Sequence, residues 1–173
     1  DGRTTDLADA LFRNKVDAYS STERAARERE ALFRALPLFV GLSSRLAKPG
    51  DYVTEDVAGM PVLLTRGADG AVRAFANICR HRGAPVAQGC GNARAFVCPY
   101  HGWTYDAQGK LLGVTDKVGF AGLDLGAHGL VRLAAGEKHG MIFMQATPVR
   151  DGASAEIDVD ATLGTLALDF AAI

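Results

Sequence analysis

The chain has 173 residues, 48% of them hydrophobic, and a net charge of -1. That length supports one sizeable core, or one domain with flanking pieces. The balanced charge, with no basic stretch interleaved with aromatics, argues against nucleic acid as a partner, and no apolar run is long enough to span a bilayer.

Residues 1–37 read as a helical leader. Asp6 is placed to cap a first helix carrying Leu7, Leu11 and Phe12. Ser20 and Glu23 form an S-x-x-E capping box for a second. Glu23, Arg24, Arg27, Glu28, Arg29, Glu30 and Arg34 give that helix a solvated face, and Leu32, Phe33 and Leu36 gather near its end. Pro37 stops it.

Beyond the leader the apolar runs shorten, over 51–57, 60–65, 71–76, 93–97, 103–105, 110–112, 131–134 and 141–145. Gly59 and the turn Gly67-Ala68-Asp69-Gly70 separate the first three. Short strands in a chain with 20 glycines indicate a mainly β domain over residues 38–150, an antiparallel sandwich or small barrel. Residues 151–173 read as an acidic, small-residue linker. A helix follows, with Leu163, Leu166, Ala167 and Phe170 behind an Asp160 cap. The chain opens at Asp1 without a methionine and ends at Ile173 inside an apolar pattern, which points to a piece of a longer protein. Three cysteines are too few for a disulfide framework, and no secretory signal opens the chain. The expected compartment is therefore a reducing cytoplasm.

The chemistry lies in two loops. Cys79 and His81 are one residue apart, and Cys98 and His101 two apart, each pair followed by a glycine. Structural zinc fingers keep their cysteines together and their histidines together, usually with the histidines on a helix. Here each pair mixes one Cys with one His, and Gly83, Pro85, Pro99 and Gly102 break any helix around them. The alternation suits a two-iron cluster with Cys79 and Cys98 on one iron and His81 and His101 on the other. Neutral imidazoles in place of two thiolates remove negative charge and raise the potential. A mononuclear zinc on the same four residues is the alternative. Cys90 falls outside both pairs and reads as a free loop thiol.

The flanks extend the match. Cys79-Arg80-His81-Arg82-Gly83 and Cys98-Pro99-Tyr100-His101-Gly102-Trp103-Thr104-Tyr105 resemble the cluster loops of Rieske-type oxygenases. Further likeness lies in Glu30-Ala31-Leu32-Phe33-Arg34, Pro49-Gly50-Asp51-Tyr52, Arg73-Ala74-Phe75-Ala76-Asn77 and Gly140-Met141-Ile142-Phe143-Met144. Respiratory-chain Rieske proteins carry two extra cysteines that form a disulfide. Ala84 and Tyr100 stand at those positions here, and Trp103 replaces a serine that donates to a cluster sulfur. Fewer donors imply a potential toward the lower end of the Rieske range. Small Rieske ferredoxins lack a long helical leader, so the alpha subunits of ring-hydroxylating dioxygenases are the better match.

The resemblance implies a Rieske [2Fe–2S] cluster on Cys79, His81, Cys98 and His101, with Arg82, Tyr100 and Trp103 around it. The imidazole side is expected to face outward and the thiolate side inward. It implies one-electron relay from a ferredoxin or reductase to a mononuclear Fe(II) that activates O₂ for hydroxylation of an aromatic substrate. That iron sits in a catalytic domain, generally of a neighbouring subunit in a trimer, and needs two His and a carboxylate. His128 and His139 do not match the motif and read as loop histidines. No catalytic residue is therefore expected here, and residues 151–173 are expected to lead into the missing domain. Trp103 is either a shield on the electron path or a core aromatic. Arg80 and Arg82 are either a docking patch for an acidic ferredoxin or ordinary loop charges. A stand-alone Rieske ferredoxin remains the rival function.

Overall fold

The computed structural model describes residue 11 and residues 13–171. Asp6, Leu7 and Phe12 of the expected first helix lie outside the described residues, and Leu11 is irregular and exposed. The leader forms α1 (Asp17–Ser20) and α2 (Thr22–Glu28), the latter running into a π-helical turn at Arg29–Arg34. The cap is Ser21, not Ser20: its hydroxyl accepts from the Arg24 amide at 3.2 Å. Ser20 still belongs to α1, and only Ser21 has the extended backbone that a capping residue needs. The C-terminal carbonyls of the leader would be orphaned. Thr147 donates to the Arg34 carbonyl and Gln145 to the Ala35 carbonyl, each at 2.7 Å, and these bonds seat the leader on the sheet.

The strands are β1 (Leu38–Leu42), β2 (Asp51–Val57), β3 (Met60–Arg66), β4 (Val72–Ala76), β5 (Cys90–Asn92), β6 (Ala95–Val97), β7 (Thr104–Asp106), β8 (Leu111–Gly113), β9 (Arg132–Lys138) and β10 (Met141–Pro148). Seven form one antiparallel sheet in the order β1-β10-β9-β4-β3-β2-β5, and β6-β7-β8 form a second. Tight turns set the register. Ala58 and Gly59 join β2 to β3, and His139 and Gly140 join β9 to β10, each pair with both residues at positive φ. Gly67–Gly70 closes the β3–β4 hairpin, where the Gly67 amide donates to the Ala71 carbonyl.

β3 organises the interior. Val62, Leu63, Leu64 and Thr65 are buried in succession, which requires packing on both faces of the strand. Val62 and Leu64 face one core with Leu46, Leu133, Ile142 and Met144. Leu63 faces the other with Phe75, Phe96, Trp103, Tyr105 and Leu111. The second core also contains Cys79 and Cys98, so the two Cys–His loops rest on the main sheet.

Two strands were not expected. β1 directly follows Pro37, which reads only as the stop of the leader, and β5 (Cys90-Gly91-Asn92) falls where a loop around Cys90 is expected. Pairing holds both: β1 against β10, and β5 against β2. The tail also differs. Residues 155–157 lie along β9, with the Ala135 amide donating to the Ala155 carbonyl and the Ile157 amide to the Ala135 carbonyl. The expected single end helix is two, α3 (Val159–Leu163) and α4 (Leu166–Ala171), broken at Gly164 with φ 59°. Asp158 caps α3, while Asp160 is engaged by Lys138 and His139. No helix among the described residues is long and apolar enough to cross a membrane.

Arg66 reaches over β4 to form a paired contact with Glu137, at 2.9 and 2.6 Å. The guanidinium holds the Glu137 carboxyl below its ordinary 4.5. A depressed carboxylate stabilises fully above its unfolded pKa, and that contribution is lost as pH falls through the folded value. Glu137→Gln is expected to cost about 1 kcal/mol at neutral pH and nothing in strong acid. Thermal melts of both proteins across that range check it.

Candidate metal centre

The two loops repeat one backbone pattern. The Gly83 amide donates to the Cys79 carbonyl at 2.9 Å, and the Cys79 amide to the Ala84 carbonyl at 2.8 Å. In the second loop the Gly102 amide donates to Cys98 at 2.9 Å, and the Cys98 amide to Trp103 at 2.8 Å. Each closing glycine has a left-handed backbone, and a Cβ at Gly102 would meet Thr115 at 2.4 Å. Sequence distance between the pairs is thus converted into two matched turns on one core.

Cys79 and Cys98 are 3% and 2% exposed, while His81 and His101 are half-buried. The imidazole centroids stand 4.6 Å apart. Burial first, then the charges of His101 and Arg82, lower the His81 pKa. That favours the neutral ring, the form that binds iron. His81 Nδ1 is buried with no hydrogen-bond partner, a cost that a coordinate bond would remove. Two thiols and two imidazoles, one of each on either matched turn, are a donor set that fits a two-iron cluster.

Aromatic rings surround the imidazoles. Trp103, 2% exposed, stacks on His81 at 5.1 Å with planes 8° apart. Phe120 packs edge-on against His81 at 5.4 Å and Trp103 at 5.3 Å. Trp103 is therefore both a core aromatic and a wall of the site. Tyr100 stacks on His101 at 3.9 Å and stays 60% exposed. Arg82 is exposed, and its contribution is charge beside His81.

Tyr105 lies 3.4 Å from the Cys79 sulfur through its hydroxyl, which also accepts from the Arg80 amide at 3.0 Å. Burial, then the hydrogen bond to Cys79, push its pKa up, so it stays a donor. The sequence pattern places Tyr105 next to the motif but does not show that it reaches back to Cys79. It supplies a hydrogen-bond donor beside the Cys79 sulfur. A bond to sulfur strengthens as negative charge accumulates, so Tyr105→Phe is expected to lower the potential. A loss of about 1.4 kcal/mol corresponds to roughly 60 mV in a one-electron couple. An EPR-monitored redox titration measures it.

Asn77 is the other residue whose role the pattern hides. It is buried, and its Oδ1 accepts from the Val86 and Ala87 amides at 2.9 and 3.2 Å. Its Nδ2 donates to the Ala87 carbonyl at 2.9 Å. One side chain therefore clamps the return of the first loop. Asn77→Ala leaves buried amides unpaired, and is expected to cost about 2–3 kcal/mol. Denaturant unfolding gives the number, and iron loss on dilution should quicken in parallel.

The remaining candidates lie elsewhere. Cys90 is exposed on β5 opposite Val53, not in a free loop. His128 bonds the Asp124 carbonyl through Nδ1 at 2.7 Å, and its ring lies 6.2 Å from that of Trp103. His139 sits in the β9–β10 turn, largely buried, with Nε2 2.8 Å from Asp160. It is a structural contact to α3 rather than a free loop histidine.

The Rieske [2Fe-2S] domain family matches residues 37–123. The glycine betaine monooxygenase oxygenase subunit of Chromohalobacter salexigens is 37% identical over 127 residues, covering 73% of this chain and 28% of that protein. The large oxygenase component of the naphthalene 1,2-dioxygenase system of Pseudomonas aeruginosa is 40% identical over 129 residues, covering 72% and 29%. Among solved structures, the quaternary ammonium Rieske monooxygenase CntA superposes with a TM-score of 0.79 at 31% identity, over 89% of this chain and 42% of that one. Naphthalene 1,2-dioxygenase with indole bound gives 0.72 at 34%, over 84% and 32%. The chain thus spans less than a third of the length of these two curated relatives.

Proposed function

We propose, for a chain that belongs to the Rieske [2Fe-2S] domain family, that it relays single electrons toward the mononuclear iron of an oxygenase. The observation that carries this is the split donor set, two buried cysteines and two half-buried histidines on matched turns. Cys79 and Cys98 would hold one iron, and His81 and His101 the other. When bound, such a cluster accepts and releases one electron at a time.

The surrounding residues do the rest. Trp103 and Phe120 pack against the His81 ring and fix its orientation, and Tyr105 holds a proton toward the Cys79 sulfur. The imidazole side is the more accessible, which suits exchange with a partner there. A ferredoxin or reductase would supply the electron. A catalytic domain, in a neighbouring subunit of a trimer, would receive it and hydroxylate an aromatic or similar substrate. The relatives described above are oxygenase subunits, which favours this reading over a stand-alone ferredoxin. They include a glycine betaine monooxygenase and a naphthalene dioxygenase at similar identity. Likeness at this level therefore follows the relay and not the substrate.

The test is a reductive titration of the iron-loaded chain with dithionite, followed by EPR. One electron per two irons is expected, at a potential in the lower part of a range of roughly -150 to +300 mV. A colourless protein holding zinc without sulfide would overturn the reading.

A further inference from the structure

A cavity of about 440 Å³ opens beside the first metal-binding loop, and Arg80, Arg132 and Arg150 line it. Asp151 is the acidic residue in that lining. All three arginines are exposed, and none of the ion pairs among the described residues involves them. The chain as a whole carries -1, so this concentration of positive charge is local. Like charges around one concavity repel each other, and its low-dielectric walls focus their field outward. An acidic surface entering there would relieve the repulsion.

The position matters as much as the charge. Arg80 belongs to the first loop, and its amide donates to the Tyr105 hydroxyl, 3.4 Å from the Cys79 sulfur. A protein seated in the cavity would lie beside the first loop, against Arg80, the residue between Cys79 and His81. We propose that this cavity docks an acidic electron-donor protein, its carboxylates meeting Arg132 and Arg150. This rests on the relay reading and adds where the electron enters. The donor, an iron–sulfur ferredoxin, is oxidised by one electron as the bound cluster is reduced by one.

The test uses the iron-loaded chain and a reduced plant-type ferredoxin, an acidic protein, in stopped-flow mixing at low and high salt. The parent rate should fall steeply with salt. Arg132→Glu with Arg150→Glu should lower the low-salt rate about tenfold or more and flatten the salt dependence. Arg132→Gln with Arg150→Gln should give a smaller loss in the same direction, and serves if the reversal misfolds. Arg24→Glu with Arg27→Glu on α2 changes net charge equally and should leave the rate unchanged. Unchanged kinetics in the cavity variants, or an equal loss in the α2 variant, would overturn the proposal. Dithionite should reduce every variant to the same EPR signal. Failure to reduce even the parent would sink the relay reading and this proposal with it.

Discussion

His81→Cys is expected to retain a two-iron cluster in part of the protein and to lower its potential by roughly 100–250 mV. The substitution exchanges a neutral donor for an anionic one. Each added negative charge makes the next electron harder to accept. The range follows from the span between all-cysteine clusters near -400 mV and the lower half of the Rieske range, where this cluster is expected, with about half of that span assigned to each imidazole. Yield should fall as well. A cysteine sulfur reaches less far from the backbone than an imidazole nitrogen, and Trp103 and Phe120 would lose the ring they pack against. EPR-monitored titration gives the potential directly. An unchanged value would remove His81 from the ligand set.

Cys98→Ala is expected to abolish the cluster, with iron and sulfide falling to background and the colour lost. Cys98 sits in the second core with Phe96, Trp103 and Tyr105, and no other described cysteine except Cys79 shares that core. The stability loss should reach several kcal/mol, because cluster binding is coupled to the folded arrangement of its ligands. The missing sulfur atom itself accounts for only about 1 kcal/mol of that. Cys90→Ala provides the contrast. Its side chain is exposed on β5, outside both cores, and the variant should keep full iron content and an unchanged melting temperature. Metal analysis beside thermal melts separates the two variants. Cluster loss from both would mean that Cys90 also serves the site.

The two matched turns were legible in the sequence because the Cys–His spacing and the closing glycines are local. Two short pairs, each closed by a glycine, specify donor types and turns without reference to the rest of the chain. The hairpins at 58–59 and 67–70 were legible for the same reason. β1 and β5 were not, since neither has a strong pattern of its own and each forms by pairing with a distant strand. The helix cap was misplaced by one residue because Ser20 and Ser21 offer the same hydroxyl, and only the backbone angle tells them apart. Asp160 misled similarly: a carboxylate before an apolar run looks like a cap until Lys138 and His139 claim it.

What the sequence alone determined is the mainly β architecture and the two Cys–His pairs in glycine-closed loops, through turn chemistry, residue alternation and spacing. All three act over a few residues. The tertiary structure decided depth and neighbourhood. It buried β3 on both faces, placed Cys79 and Cys98 in the core beneath half-buried imidazoles, brought Tyr105 to Cys79, and gathered Arg80, Arg132 and Arg150 around one cavity. These contacts join residues tens of positions apart. They depend on which faces of the sheet pack together, and no local pattern encodes that choice.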